Sequence, residues 1–163
     1  MKVLVAVASK HGSTREIAEA VAAGLRAAGL EADFQDAGDV RSIAGYDAVV
    51  LGSAIYAGNW LADAKGFVES YRAELAKLPV WLFSSGPLGA ENPQPQDDPN
   101  RLVASLGEMS PREHRVFVGK LDPETLGFAE RLIAKAVRAP SGDFRDWDAI
   151  RDWAQSIASD LRA

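Results

Sequence analysis

Three short stretches of the chain combine hydroxyl side chains with glycine. They are Ser9-Lys10-His11-Gly12-Ser13-Thr14, Ser53-Ala54-Ile55-Tyr56-Ala57-Gly58-Asn59-Trp60 and Ser84-Ser85-Gly86-Pro87-Leu88. The first runs straight into a segment of helical period, which places backbone N–H groups at a helix start. Those groups lack intrahelical partners and sit at the positive end of the helix dipole, so they suit a phosphate. The spacing is neither GxxxxGKS/T nor GxGxxG, so nucleotide hydrolysis and a dinucleotide pyrophosphate are not indicated. The second stretch adds Tyr56 and Trp60, whose rings suit a flat stacked ligand, and Gly58, which lets backbone approach it. The third offers backbone amides to a ring edge. Each stretch also has a plainer reading: Ser13 or Thr14 as an N-cap, Trp60 as an apolar staple, the third as a turn.

What brings these stretches together is the order of the elements around them. Val3–Ala8, Ala48–Leu51, Val80–Phe83 and Val116–Val118 are short apolar runs without alternation, as in parallel strands covered on both faces. Glu31–Gln35 alternates, with Ala32 and Phe34 inward, and reads as an edge strand. Helical periods cover Thr14–Ala28, closed by Gly29, and Ala62–Leu78, stopped by Pro79. Further helices are expected at Asn100–Leu106 after Asp98-Pro99, at Glu124–Arg138 after Asp122-Pro123, and from Trp147 through Leu161. The segment Gly86–Pro99, with Pro87, Pro93, Pro95 and Pro99, shows neither period and reads as a loop.

Strand and helix therefore alternate, which predicts an α/β doubly wound five-stranded parallel sheet in one domain, residues 1–163. The edge character of the second strand favours the order 2-1-3-4-5, and one helix more than the winding needs follows strand 5. In such a sheet ligands bind beyond the carboxyl ends of the strands where the winding reverses. For this order that point lies between strands 1 and 3, where the three stretches converge. A phosphorylated, planar, aromatic ligand is the solution common to all three, and FMN fits it.

Composition narrows the alternatives. The chain has no Cys, which excludes thiolate catalysis, disulfides and Cys-held metals, and only two His, His11 and His114. The net charge of −5 disfavours nucleic acid. The run Val3–Ala8 is too short for a signal segment or a span of about 20 residues, so a cytoplasmic protein without an integral membrane segment is expected. No carboxylate pair or Ser-His-Asp set suggests side-chain catalysis, and His114 reads as a structural residue preceding a strand, far from the switch point.

The Ser9–Glu19 loop and helix start, the Leu51–Tyr56 strand end and the Trp-containing loop after it resemble flavodoxins. Gly119, the helix Glu124–Arg138, Ser141-Gly142 and Asp146-Trp147 extend the likeness to the flavodoxin-domain group that includes menaquinone-dependent protoporphyrinogen IX dehydrogenase. The resemblance implies a flavodoxin-like fold and non-covalent FMN. It implies that Ser9, His11, Gly12, Ser13 and Thr14 hold the phosphate. Ala54, Ile55, Tyr56, Ala57, Gly58, Asn59 and Trp60 would pack on the isoalloxazine, with Ser84, Ser85, Gly86, Pro87 and Leu88 at its other edge. It further implies that the Gly58 carbonyl accepts a hydrogen bond from flavin N5 on reduction.

The expected function is electron transfer through FMN, to a redox partner protein or a small-molecule acceptor, quinones included. Two alternatives accompany it: a quinone-linked protoporphyrinogen IX dehydrogenase and a non-catalytic module of the same fold. The chain departs from that dehydrogenase in carrying Glu91, Asp97 and Asp98 where the latter is strongly basic. Arg131, Lys135 and Arg138 share one helix face, which suits either a peripheral membrane contact or the cations that gather near a helix C-terminus.

Overall fold

The computed structural model describes residues 1–9, 12–56, 59–86, 111–118, 120–121, 142–143 and 147–162. Five parallel strands form the sheet: β1 (Lys2–Ala8), β2 (Glu31–Asp36), β3 (Ala48–Tyr56), β4 (Val80–Gly86) and β5 (Glu113–Val118). Their order is β2-β1-β3-β4-β5, the expected winding. Asn59–Trp60 pairs antiparallel onto the end of β3. Lys120–Leu121 and Gly142–Asp143 form a small antiparallel ribbon that no sequence pattern announced. The helices are α1 (Ser13–Ala27), α2 (Ala62–Ser70), α3 (Arg72–Leu75) and α4 (Trp147–Arg162). The expected helices at 100–106 and 124–138, and most of the 86–99 loop, lie outside the described residues.

The apolar runs are buried on both faces because they alternate between two cores. Val3, Val5 and Val7 join Val50, Trp81 and Phe83 under α1 and α4. Leu4, Ala6, Leu51 and Leu82 join Phe67, Val68 and Leu75 on the opposite face, under α2 and α3. The β2 edge is closed by charge instead. The guanidinium of Arg15 lies 4.9 Å over the Phe34 ring and bonds Asp36, and Arg26 Nε donates to the Ala32 carbonyl at 2.9 Å.

Two glycines serve packing and turning. Gly29 (φ 93°) ends α1, its N–H reaching Arg26 O while Leu30 N–H reaches Leu25 O, the bond pair of a Schellman turn. Gly52 faces the ring of Phe83, and a Cβ there would stand 2.0 Å from a ring carbon.

The single helix expected over 62–78 is divided. At Tyr71 the backbone leaves helical geometry (φ −118°, ψ 22°), while the phenol donates to Val40 O at 3.1 Å. Its ring also packs on Phe67, with centroids 5.0 Å apart, so tertiary contacts fix the bend.

Candidate functional site

The strands run past their apolar stretches, because ladder bonds need only backbone. Ser53–Tyr56 and Ser84–Gly86, expected in loops, are therefore the carboxyl ends of β3 and β4. Ala8, Ser53, Ser84 and Val116 form one row across the sheet by register. β1 ends at this row, β3 three residues beyond it at Tyr56 and β4 two beyond it at Gly86, so the segments that follow them depart from the same end of the sheet.

The segment after β1 turns into α1 through a glycine. Ser9 Oγ accepts the Gly12 N–H at 3.0 Å. Gly12 is the N-cap of α1, in the left-handed region (φ 88°), without a side-chain cap. Ser13 and Thr14 are thus the first two helical residues, not caps, and the first backbone bond of the helix runs from Glu16 N–H to Gly12 O. The amides of Ser13, Thr14 and Arg15 precede that bond. A Cβ on Gly12 would meet nothing within 4 Å. A left-handed glycine over open space, ahead of three helix-start amides, fits a phosphate. Arg15 is held by Asp36 at 2.5 Å and by Glu19 at 3.6 Å. Chiefly through the Asp36 hydrogen bond, its guanidinium pKa is raised above the ordinary value.

At the other two strand ends the hydroxyls are turned inward. Ser53, fully buried, accepts Leu61 N–H at 3.0 Å and donates to Ala54 O at 2.8 Å. Ser84, also fully buried, accepts Trp60 Nε1–H at 2.8 Å. Trp60 itself is only 3% exposed and belongs to the α2-side core. The register partners Ser53 and Ser84 therefore hold one segment, residues 59–61, by its backbone and by its indole.

Ser9, Gly12, Ser13, Thr14, Ala54, Ile55, Tyr56, Asn59, Trp60, Ser84, Ser85 and Gly86 are thus gathered at the carboxyl end of the sheet. His11, Ala57, Gly58, Pro87 and Leu88 lie outside the described residues. His114 differs from expectation: it lies inside β5, level with Leu82, and its Nε2 is 2.6 Å from Ser84 Oγ. The polar start Glu113-His114-Arg115 hid that half of the strand, since only 116–118 reads as an apolar run.

The family model of the flavodoxin domain matches residues 4–148. The chain belongs to the flavodoxin domain family. Within that family it is 25% identical to the "Protoporphyrinogen IX dehydrogenase [quinone]" of Escherichia coli (strain K12), over 97% of this chain and 95% of that protein. The dehydrogenase of the same name from Leishmania major is 24% identical, over 97% of this chain and 75% of that one. A solved flavodoxin from the domain Archaea shares the fold at a TM-score of 0.67 and 17% identity, each chain covered in full. Family and fold together support a flavodoxin-type redox protein. Among the described residues no helix is long and apolar enough to cross a membrane.

Proposed function

We propose that this chain is a single flavodoxin-like domain that binds FMN non-covalently and transfers electrons through it. The observation that carries the reading is Gly12, left-handed and facing open space ahead of the first-turn amides of α1, at the end of the sheet from which the other two segments also depart. FMN, when bound, supplies one- and two-electron transfer that no side chain here offers.

The residues have distinct tasks. Ser9 fixes the turn by holding Gly12 N–H, and the amides of Ser13 and Thr14 donate to the phosphate. The segment from Ala54 to Trp60 lies along the ring, shaped by Ser53 and Ser84 from beneath. Ser84–Leu88 supplies backbone to the other ring edge. In this reading Trp60 acts from the core, holding its own segment. A cytoplasmic setting and a partner protein or quinone as acceptor belong to the same proposal.

The test is the visible spectrum of the purified protein with added FMN, before and after dithionite. A flavin spectrum altered by the protein and bleached on reduction supports the reading; a spectrum identical to free FMN contradicts it.

A second reading, quinone-linked oxidation of protoporphyrinogen IX, is favoured by the bacterial relative that matches 97% of the chain. Turnover of protoporphyrinogen by the purified protein with menadione supports it. Absence of turnover by the FMN-loaded protein leaves the carrier reading alone.

A further inference from the structure

Across its central strands the α2-side core is apolar, with Leu4, Leu51, Val80 and Leu82, until it reaches the buried Ser53 and Ser84, with the part-buried His114 beside Ser84. The Ser53 hydroxyl is accounted for by backbone partners. Ser84 and His114 are not explained by core packing, since an aliphatic pair would fill the same place without polar atoms to satisfy.

The directions of the hydrogen bonds follow from donor chemistry. Trp60 Nε1 can only donate, so its 2.8 Å contact occupies one lone pair of Ser84 Oγ. Ser84 is fully buried, so its hydroxyl hydrogen needs a protein acceptor rather than water. His114 Nε2, at 2.6 Å, is the partner on its other side. The chain therefore links Trp60, Ser84 and His114 through the one hydroxyl. The imidazole and indole meet edge to face at 6.0 Å, their planes 84° apart, so the end of the relay packs against its beginning.

We infer that His114 is a positioning residue of the cofactor site: by fixing the Ser84 hydroxyl it holds Trp60, and so sets the 59–61 segment against the ends of β3 and β4. The cofactor half of this inference rests on the FMN reading; the relay stands on the distances. Trp60 is paired with Ile55, and Asn59 with Tyr56, so a shift of the indole moves the backbone expected to lie along the flavin. Side chains of β5 adjoining His114 in sequence are engaged elsewhere. Glu113 accepts Trp153 Nε1–H at 3.0 Å and pairs with Arg115 at 2.8 Å.

The test compares His114→Gln, whose amide oxygen can accept from Ser84, with His114→Leu, which cannot. FMN affinity of His114→Leu should fall about tenfold, the scale of one buried hydrogen bond, with an altered spectrum of the bound flavin. His114→Gln should recover most of that affinity and the wild-type spectrum. If both folded variants bind FMN like the wild type while only their urea midpoints drop, the residue is merely structural and the inference is overturned. Should His114→Leu not fold, Ser84→Ala replaces it in the same comparison. A second readout needs no flavin: the Trp60 indole N–H resonance, assigned with Trp60→Phe, should shift in His114→Leu and return in His114→Gln. An unmoved resonance overturns the relay. If the wild type takes up no FMN while the resonance moves as stated, the functional reading fails and the relay survives without a cofactor role.

Discussion

Ser84 Oγ lies 2.8 Å from Trp60 Nε1, a hydrogen bond between two side chains both at most 3% exposed. It ties the carboxyl end of β4 to the strand that folds back on β3. Removing the acceptor leaves an indole N–H buried without a partner, and that penalty is larger than the bond's net contribution. Ser84→Ala should therefore cost about 1–3 kcal/mol, whereas Trp60→Phe, which removes the donor and keeps a ring, should cost less if the core closes around it. Urea unfolding of the two variants checks the order; equal costs would place the effect in packing alone.

Gly12 and Gly52 are both fixed by geometry, for opposite reasons. At Gly12 the φ of 88° is the only obstacle, because a Cβ would meet nothing. Gly12→Ala should cost about 1–2 kcal/mol of backbone strain and weaken FMN binding by displacing the helix-start amides. Chemical unfolding and a flavin titration of the same sample measure both effects; full retention of affinity would remove Gly12 from the phosphate site.

At Gly52 the obstacle is the Phe83 ring, 2.0 Å from an added Cβ. That ring is wedged against Phe117 and Trp153, with centroids 6.0 and 5.9 Å away, so it has little room to retreat. Gly52→Ala should destabilise by about 3 kcal/mol, at the upper end for overpacking, and Phe83→Leu in the same chain should recover part of the loss. Thermal unfolding of single and double variants gives the coupling; strict additivity would contradict the contact.

Asp33 accepts the Tyr46 hydroxyl at 2.8 Å and lies 3.4 Å from Lys2 Nζ. Chiefly through the Tyr46 hydrogen bond, its carboxyl pKa sits below the ordinary value of 3.8. A lowered folded value means the stabilisation is present above the ordinary carboxylate pKa and is lost as pH falls through the lowered one. Burial first, and Asp33 second, raise the Tyr46 phenol above 10.0, so its share persists below that value and fades as pH climbs through the raised one. Tyr46→Phe should cost about 0.5–1 kcal/mol at neutral pH, with the difference from wild type shrinking towards pH 3. Urea midpoints across that range decide it; a difference that grows in acid would reverse the sign.

Much of the fold was legible because burial on two faces leaves a mark in the residues. Val3–Ala8 carries no alternation since odd and even positions enter different cores, and Glu31–Gln35 alternates since only the Ala32 and Phe34 face of β2 packs on a core. Gly29 announced the end of α1 because glycine takes up left-handed backbone without penalty. The ends of β3 and β4 were hidden, because Ser53 and Ser84 look like loop residues until their strand partners are known. The bend at Tyr71 was equally invisible, being set by Val40, 31 positions away. The turn at Gly12 into α1 could be read locally, as sequence and backbone coincide there. His114 could not: its meaning comes from Ser84 and Trp60, which reach it only through the parallel register.

Calorimetric titration of the folded, flavin-free protein with FMN tests the central claim most directly. One FMN should bind per chain, with affinity reduced in Gly12→Ala measured alongside. A protein that is folded by circular dichroism yet gives no heat of binding and leaves FMN fluorescence unchanged would contradict it.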